Sequence, residues 1–411
     1  MLRRTGVAIV ALLALPALAP PPQLTGEDWP QFRGPERTGR SSEIGLFENW
    51  DAGTPLQERW RVPLGPGYSG ISIVDGHAVT LFGTDGGEYL GAFDTSDGAR
   101  LWQLRLGDLF RDGMGDGPRS TPLIETGRVY ALSTAGRLVA ADLETGRPLW
   151  QVDLVDTYGA RQPTWGFAVS PVMVDGQLLI EAGGRSAGVV ALDPENGTEL
   201  WRALGDPPGY STPIEAEVHG QRQVIFFTAH RAVALAPEDG TELWSYPWRT
   251  SYDVNAASPI FIAPDQVLIA SGYDVGGSLL RIPATGSDEQ VERVWHSDGL
   301  KNVYSSSVVV DGYIYGFDNG TLVSHELATG ERMWRQRGFQ VGSLIFADGH
   351  LVVLGERGTL ALVRATPGGY QEIARQAVFD SKTWTPPSLS RHTLYVRDEH
   401  ELVALELSSS D

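Results

Sequence analysis

The 411-residue chain contains no cysteine. That excludes disulfide bonds, thiolate metal sites, a cysteine nucleophile and a lipid-modified N-terminal cysteine. Lysine is almost missing too. Only Lys301 and Lys382 occur, so arginine supplies nearly all of the 32 basic side chains. Set against 51 acidic residues, these leave a net charge of −19. Such a balance excludes the clustered cationic surface that nucleic acid or an anionic membrane would need. The eight histidines are dispersed, with no H-E-x-x-H or H-x-H pair to suggest a zinc site. Helical periodicity is nearly absent, and one apolar run alone stands out.

That run covers residues 7–19, follows the basic Leu2-Arg3-Arg4 and ends in Ala17-Leu18-Ala19. It is too short for a comfortable membrane span and has the three-part layout of a secretory signal. The reading is a signal peptide at 1–19, with Pro20 leaving the cleavage point open. The mature chain is expected to be periplasmic or secreted, monomeric and without a membrane span.

What the chain does have is repetition. LGAFDTSDGARLW ends at Trp102, LVAADLETGRPLW at Trp150, VVALDPENGTELW at Trp201, AVALAPEDGTELW at Trp244 and LVSHELATGERMW at Trp334. A degenerate copy ends at Trp295. The tryptophans recur about 40 to 50 residues apart, the length of one four-stranded propeller blade. Upstream of each lies a strand, an Asp-Gly-type turn and a second strand, as in SVVVDGYIYGF at 306–316. The Asp bonds to turn N–H groups, the Gly takes a positive φ, and the Trp fills the space between blades. Seven units are visible. The last segment, 383–407, supplies only three strands, while LQERWRVPL at 56–64 offers a lone strand carrying Trp60. Pairing the two leaves no exposed edge. The fold class is therefore all-β: an eight-bladed β-propeller of four-stranded antiparallel blades over 56–407, closed by N- and C-terminal strands. Residues 20–55 form an extended lead over the propeller, anchored by Trp29 and Phe32, and 408–411 a tail.

The repeated Ala-x-Asp-x-x-Thr-Gly-x-x-x-Trp phrase resembles the pyrroloquinoline-quinone (PQQ) repeat of eight-bladed quinoprotein alcohol dehydrogenases and BamB-like assembly propellers. DWPQFRGPERTGRSSE, at 28–43, resembles the lead of a secreted bacterial subgroup of PQQ-binding-like propellers. The resemblance implies two rival functions. One is a non-catalytic binding or protein-assembly module, with another envelope protein, a peptide or a small anionic ligand as partner. The other is a dehydrogenase using PQQ and Ca²⁺ on an alcohol or sugar, with Arg119, Lys301 and Trp384 holding the quinone. The cysteine pair that usually clamps PQQ is missing, as is the lipid-anchor cysteine of BamB-like chains. A third reading is a structural scaffold with a plugged channel. No cofactor is implied with certainty, and no catalytic residue is named.

Aligning the starts of the inner strands yields candidate site residues. One ring reads Tyr68, Arg119, Ala168, Tyr210, Ala256, Tyr304, Val341 and Trp384, and the next Ser69, Ser120, Val169, Ser211, Ala257, Ser305, Gly342 and Thr385. Trp165, Asn255, Lys301, Asn302 and Lys382 lie just outside. The expected mouth is an aromatic wall with a cationic rim of Arg119, Lys301 and Lys382, suited to a flat or anionic ligand. Two local motifs read as turns. Gly184-Arg185-Ser186-Ala187-Gly188 matches a nucleophile elbow, but no helix is expected after it. Asp112 and Asp116 are short-spaced oxygen donors that could take Ca²⁺ but lack the length of an EF-hand loop.

Overall fold

The computed structural model describes residues 27–407. The expected signal peptide and the 408–411 tail lie outside the described residues. Eight four-stranded antiparallel sheets stand in a ring. Seven are built from consecutive strands, at 72–108 (blade 1), 123–153, 172–203, 214–247, 260–297, 308–336 and 343–377 (blade 7). The local sequence dictates the hairpins. Asp75 and Gly76, Asp175 and Gly176, and Asp311 and Gly312 all take positive φ, as a two-residue turn between twisted strands requires. The middle strands are covered on both faces by neighbouring blades, so Ala187–Leu192 is apolar throughout and wholly buried. Among the described residues helix is limited to a single turn, Leu154–Tyr158, capped by Asp153, and a short 3-10 turn, Ser251–Asp253.

A glycine turn of the Asp-x-x-Thr-Gly type shapes one side of five of the eight blade joints. In blade 2, Asp142 Oδ1 accepts from the Thr145 N–H at 2.9 Å and from its hydroxyl at 2.6 Å. Gly146 then takes φ +67°, and a Cβ there would stand 2.5 Å from the Trp102 ring of blade 1. Trp102 Nε1 donates to Leu143 O at 2.7 Å. Trp60, Trp150, Trp201 and Trp295 meet the following blade's turn glycine in the same way. Each also donates its indole N–H to a carbonyl of that turn, and Trp334 does so at Thr366. Trp244 differs, because the degenerate blade 5 offers no such turn. Its indole N–H goes to Gln223 of its own blade.

Blade 8 is closed as expected. Strand Gln57–Pro63 pairs antiparallel with Glu401–Glu406, and Trp60 stands opposite Ala404. The buried Arg397 donates to Leu81 O at 2.7 Å and Gly65 O at 2.9 Å, tying blade 8 to blade 1. In blade 7, Ala374 occupies the place the tryptophans hold elsewhere. Its neighbour, blade 8, draws its third and outer strands from opposite chain ends and so has no turn there for a tryptophan to meet. Leu46, Phe47 and Trp50 of the lead join Ala374 and Leu405 in one buried cluster at this joint. Glu43 adds a polar clasp, accepting from the Arg391 and His392 N–H groups at 2.8 and 2.7 Å.

The lead crosses one face of the ring, but it folds into turns rather than lying extended. Trp29 bridges Ile73 of blade 1, and Pro30 O accepts from Ile124 of blade 2. Arg37 donates to Met173 O of blade 3 at 2.8 Å, and the buried Arg33 to Ser307 O, just before blade 6, at 2.6 Å. Arg40 bridges Phe346 of blade 7. Residues 29–40 therefore hold five blades together around the axis and cover one end of the channel.

Candidate functional site

The inner strands carry two alternating rows of residues. One row is turned inward and lines the channel, as side-chain alternation requires. The intervening Ser69, Ser120 and Ser211 are fully buried behind it. Hydroxyls one position further on form a belt around the ring. Gly70 N–H donates to Thr121 Oγ1 at 3.0 Å, Thr121 N–H to Ser170 Oγ at 2.9 Å, and Ser258 N–H to Ser306 Oγ at 2.9 Å. This belt fixes the inner strands of neighbouring blades and thus the positions of the wall residues.

At the uncovered end the channel holds a cavity of ≈ 130 Å³. Tyr68, Arg119, Ala168, Tyr210, Ala256, Tyr304 and Trp384 line it, so seven of the eight residues of the first ring converge, and Trp165 joins them. The aromatics form two groups. Trp384 lies 4.6 Å from Tyr304 and 5.0 Å from Tyr68 between ring centroids, while Trp165 lies 5.9 Å from Tyr210. Phe32 of the lead also lines the cavity, so the covered end is its floor. Burial pushes the Tyr210 and Tyr304 hydroxyls up to about 12, which keeps them neutral. The Tyr68 hydroxyl donates to Glu399 at 2.6 Å, and Trp384 Nε1 to Glu356 at 3.0 Å.

The cations are arranged differently from the expected rim. Lys382 sits 4.2 Å from the Trp384 ring and donates to Met114 O at 2.6 Å. Lys301 is set back from the cavity, 3.8 Å from both Asp274 and Asp318. Arg119 reaches the wall, stacked 5.6 Å from the Tyr68 ring centroid and 5.2 Å from that of Phe110. Asn255 and Asn302 are buried, and both spend their amides on the blades. Asn255 donates to Thr228 O and accepts from Ser271. Asn302 donates to Phe317 O and accepts from Ser307.

Sequence reasoning missed Met114 and Tyr273, which also line the cavity, and the exposed Tyr252 at its rim. Tyr252 lies 6.2 Å from both Trp165 and Tyr273 and takes φ +64°. The one available signal was the Gly-x-Gly-x-Gly run at 113–117, which lets the loop fold back over Tyr68.

The residues present do not fit PQQ with Ca²⁺. Asp112 and Asp116 turn oxygens to the Met114 and Asp112 N–H groups, and Asp116 also pairs with Arg111. Among the described residues no three His, Asp or Glu gather as ligands of one ion would. The Trp384 ring already has Tyr304, Tyr68 and Lys382 at 4.6, 5.0 and 4.2 Å. The Gly184–Gly188 segment is the hairpin between strands Gln177–Gly184 and Ala187–Leu192, with no helix after it.

Comparison with known proteins places this geometry in a family. BamB of Burkholderia pseudomallei is 26% identical over 76% of this chain and 78% of that protein. BamB of Yersinia pestis is 23% identical over 66% of this chain and 68% of its own length. The quinohemoprotein alcohol dehydrogenase ADH-IIG of Pseudomonas putida is 30% identical, but over 35% of this chain and only 20% of the enzyme. Among solved structures, BamB from Moraxella catarrhalis superposes with a TM-score of 0.63 at 14% identity, covering 87% of this chain and 99% of that one. Quinohemoprotein alcohol dehydrogenase from Comamonas testosteroni gives 0.67 at 14% identity, covering 93% and 81%. These superpositions show a shared fold. The sequence profile of outer membrane protein assembly factor BamB matches residues 86–336, more than half of the chain, and the chain belongs to that PQQ-repeat propeller family.

Proposed function

We propose that this chain is an exported, non-catalytic assembly module that holds part of another envelope protein at the open mouth of its channel. The observation that carries the reading is a blind aromatic mouth. Phe32 closes the far end, while Glu399, Glu356 and backbone carbonyls already occupy most polar groups of the wall. Such a site offers ring faces and apolar edges, which suit the anchor side chain of a partner. Tyr252, 70% exposed, and Met114, 43% exposed, extend it outward. The relatives named as outer membrane protein assembly factors support the same role.

The test is made in the host organism. Loss of the gene should lower the amount of folded β-barrel protein in the outer membrane. Wild type should restore it, and a Tyr252→Ala, Trp165→Ala variant of normal stability should not. Unchanged outer-membrane protein levels after gene loss, or full rescue by the variant, would overturn the proposal.

A further inference from the structure

Arg119 stands out among the wall residues by its chemistry. A guanidinium has five N–H bonds. Here NH1 donates to Gly117 O at 2.7 Å and NH2 to Gly115 O at 2.8 Å. Both acceptors are neutral carbonyls, so they orient the group without neutralising it. The carboxylates whose charge reaches it are Asp112 and Glu88. Asp112 accepts from the Met114 N–H, and the buried Glu88 is held by Thr134 and the Phe110 N–H. Neither pairs with Arg119. A half-buried cation thus faces the cavity with no counter-charge bonded to it, and burial disfavours its charged form. Lys301 does not share this state, since it lies between two aspartates. Lys382 also has only neutral acceptors, the Met114 carbonyl and the Tyr68 hydroxyl, but it sits over Trp384 and is not part of the cavity lining, whereas Arg119 is.

Size narrows the ligand further. A closed apolar cavity of about 150 Å³ is known to hold benzene. The ≈ 130 Å³ here therefore matches one ring. Aromatic walls also recognise quaternary ammonium groups, but Lys382 already occupies the cationic position over Trp384 at 4.2 Å. A second cation would meet both Lys382 and Arg119.

We infer that the cavity takes a single aromatic ring bearing one carboxylate, with the ring among Trp165, Tyr210 and Tyr304 and the carboxylate at Arg119. The inference rests on the mouth being a binding site, as proposed above. Two sources share the chemistry: a free aromatic acid, and the C-terminus of a polypeptide that ends in an aromatic residue. In either case the ring covers the wall and the carboxylate supplies the missing counter-charge through charge-assisted hydrogen bonds.

The experiment titrates the full mature chain with 3-phenylpropanoate, 3-phenylpropanamide and propanoate, read by tryptophan fluorescence and thermal shift. The acid should bind about tenfold or more tightly than the amide, and propanoate should not bind detectably. Arg119→Met should bring the acid-to-amide ratio close to one, while Lys382→Met should leave it unchanged. Because Arg119 also ties down the 115–117 loop, Ala168→Phe provides a second test. It fills the cavity from a small wall residue and should abolish binding of both compounds without lowering the melting temperature. A short peptide ending in phenylalanine, compared with its C-terminal amide, separates the two sources. An acid preference in the peptide shows that a chain terminus is accepted, and binding of the free acid alone assigns a small molecule. Equal binding of acid and amide by wild type, no binding of either, or an acid preference that survives Arg119→Met would overturn the inference. The outer-membrane phenotype of the Tyr252, Trp165 variant is read independently, so loss of this inference would leave the assembly role standing.

Discussion

Glu181 sits in an environment at odds with its chemistry. It lies in the second strand of blade 3, fully buried, and neither carboxylate oxygen has a well-formed hydrogen bond. Desolvation raises its pKa to about 8, Asp206 adds to the rise, and the Gly209 N–H opposes it. The unfolded chain loses this proton near 4.5. Between those values the folded state holds a proton that the unfolded state has released, so stability falls as pH rises through the window and levels off above about 8. Glu181→Gln removes the titration and keeps the shape. The variant's melting temperature should therefore stay flat where wild type loses a few degrees between pH 5 and pH 8, and parallel curves would refute this account. Ser186 carries the opposite expectation. It sits at the tip of a hairpin, so Ser186→Ala should alter neither melting nor any esterase background, and a clear loss of ester hydrolysis would show that the turn had been misread.

At the scale of the element, the unit is a joint: a tryptophan on one outer strand, and an Asp-x-x-Thr-Gly turn on the next blade. Truncating Trp60→Ala should cost about 3–5 kcal/mol, measured by denaturant unfolding, because Trp60 packs on Gly98 and donates to Thr95 O as its counterparts do. Gly146→Ala should be destabilising too, since it strains a φ of +67° and presses on Trp102. These joints were legible in the sequence because every part of them is local and repeated. The missing tryptophan of blade 7 was legible as well, but its filling by Leu46, Phe47 and Trp50 was not, because nothing local links residue 50 to residue 374. The site divides the same way. Alignment by register brought Tyr68, Arg119, Tyr210, Tyr304 and Trp384 together correctly. It could not tell that the Asn255 and Asn302 amides turn into the blades, or that Lys301 falls between two aspartates, since those depend on neighbours set by the ring. Phe32 was visible as an anchor, but its place at the floor of the cavity follows only from the path of the lead across five blades.

For the whole molecule, closure is the central fact. Removing residues 27–64 takes away the eighth blade's outer strand, the floor of the cavity and the filling of the blade 7 joint together. The shortened chain should aggregate or melt far below wild type, and a monodisperse product with unchanged melting would refute the role given to the closing strand. The same feature governs timing. Arg61 meets Glu401 across 340 positions of sequence. A chain made from its N-terminus therefore carries strand Gln57–Pro63 unpaired until strand Glu401–Glu406 has been synthesised, while the blades between can assemble in order. The ring thus latches only once strand Glu401–Glu406 has been made. A product that stops before that strand is left with two sticky edges, on Gln57–Pro63 and Thr393–Arg397, instead of a slightly smaller propeller, so closure itself checks that synthesis has passed residue 406.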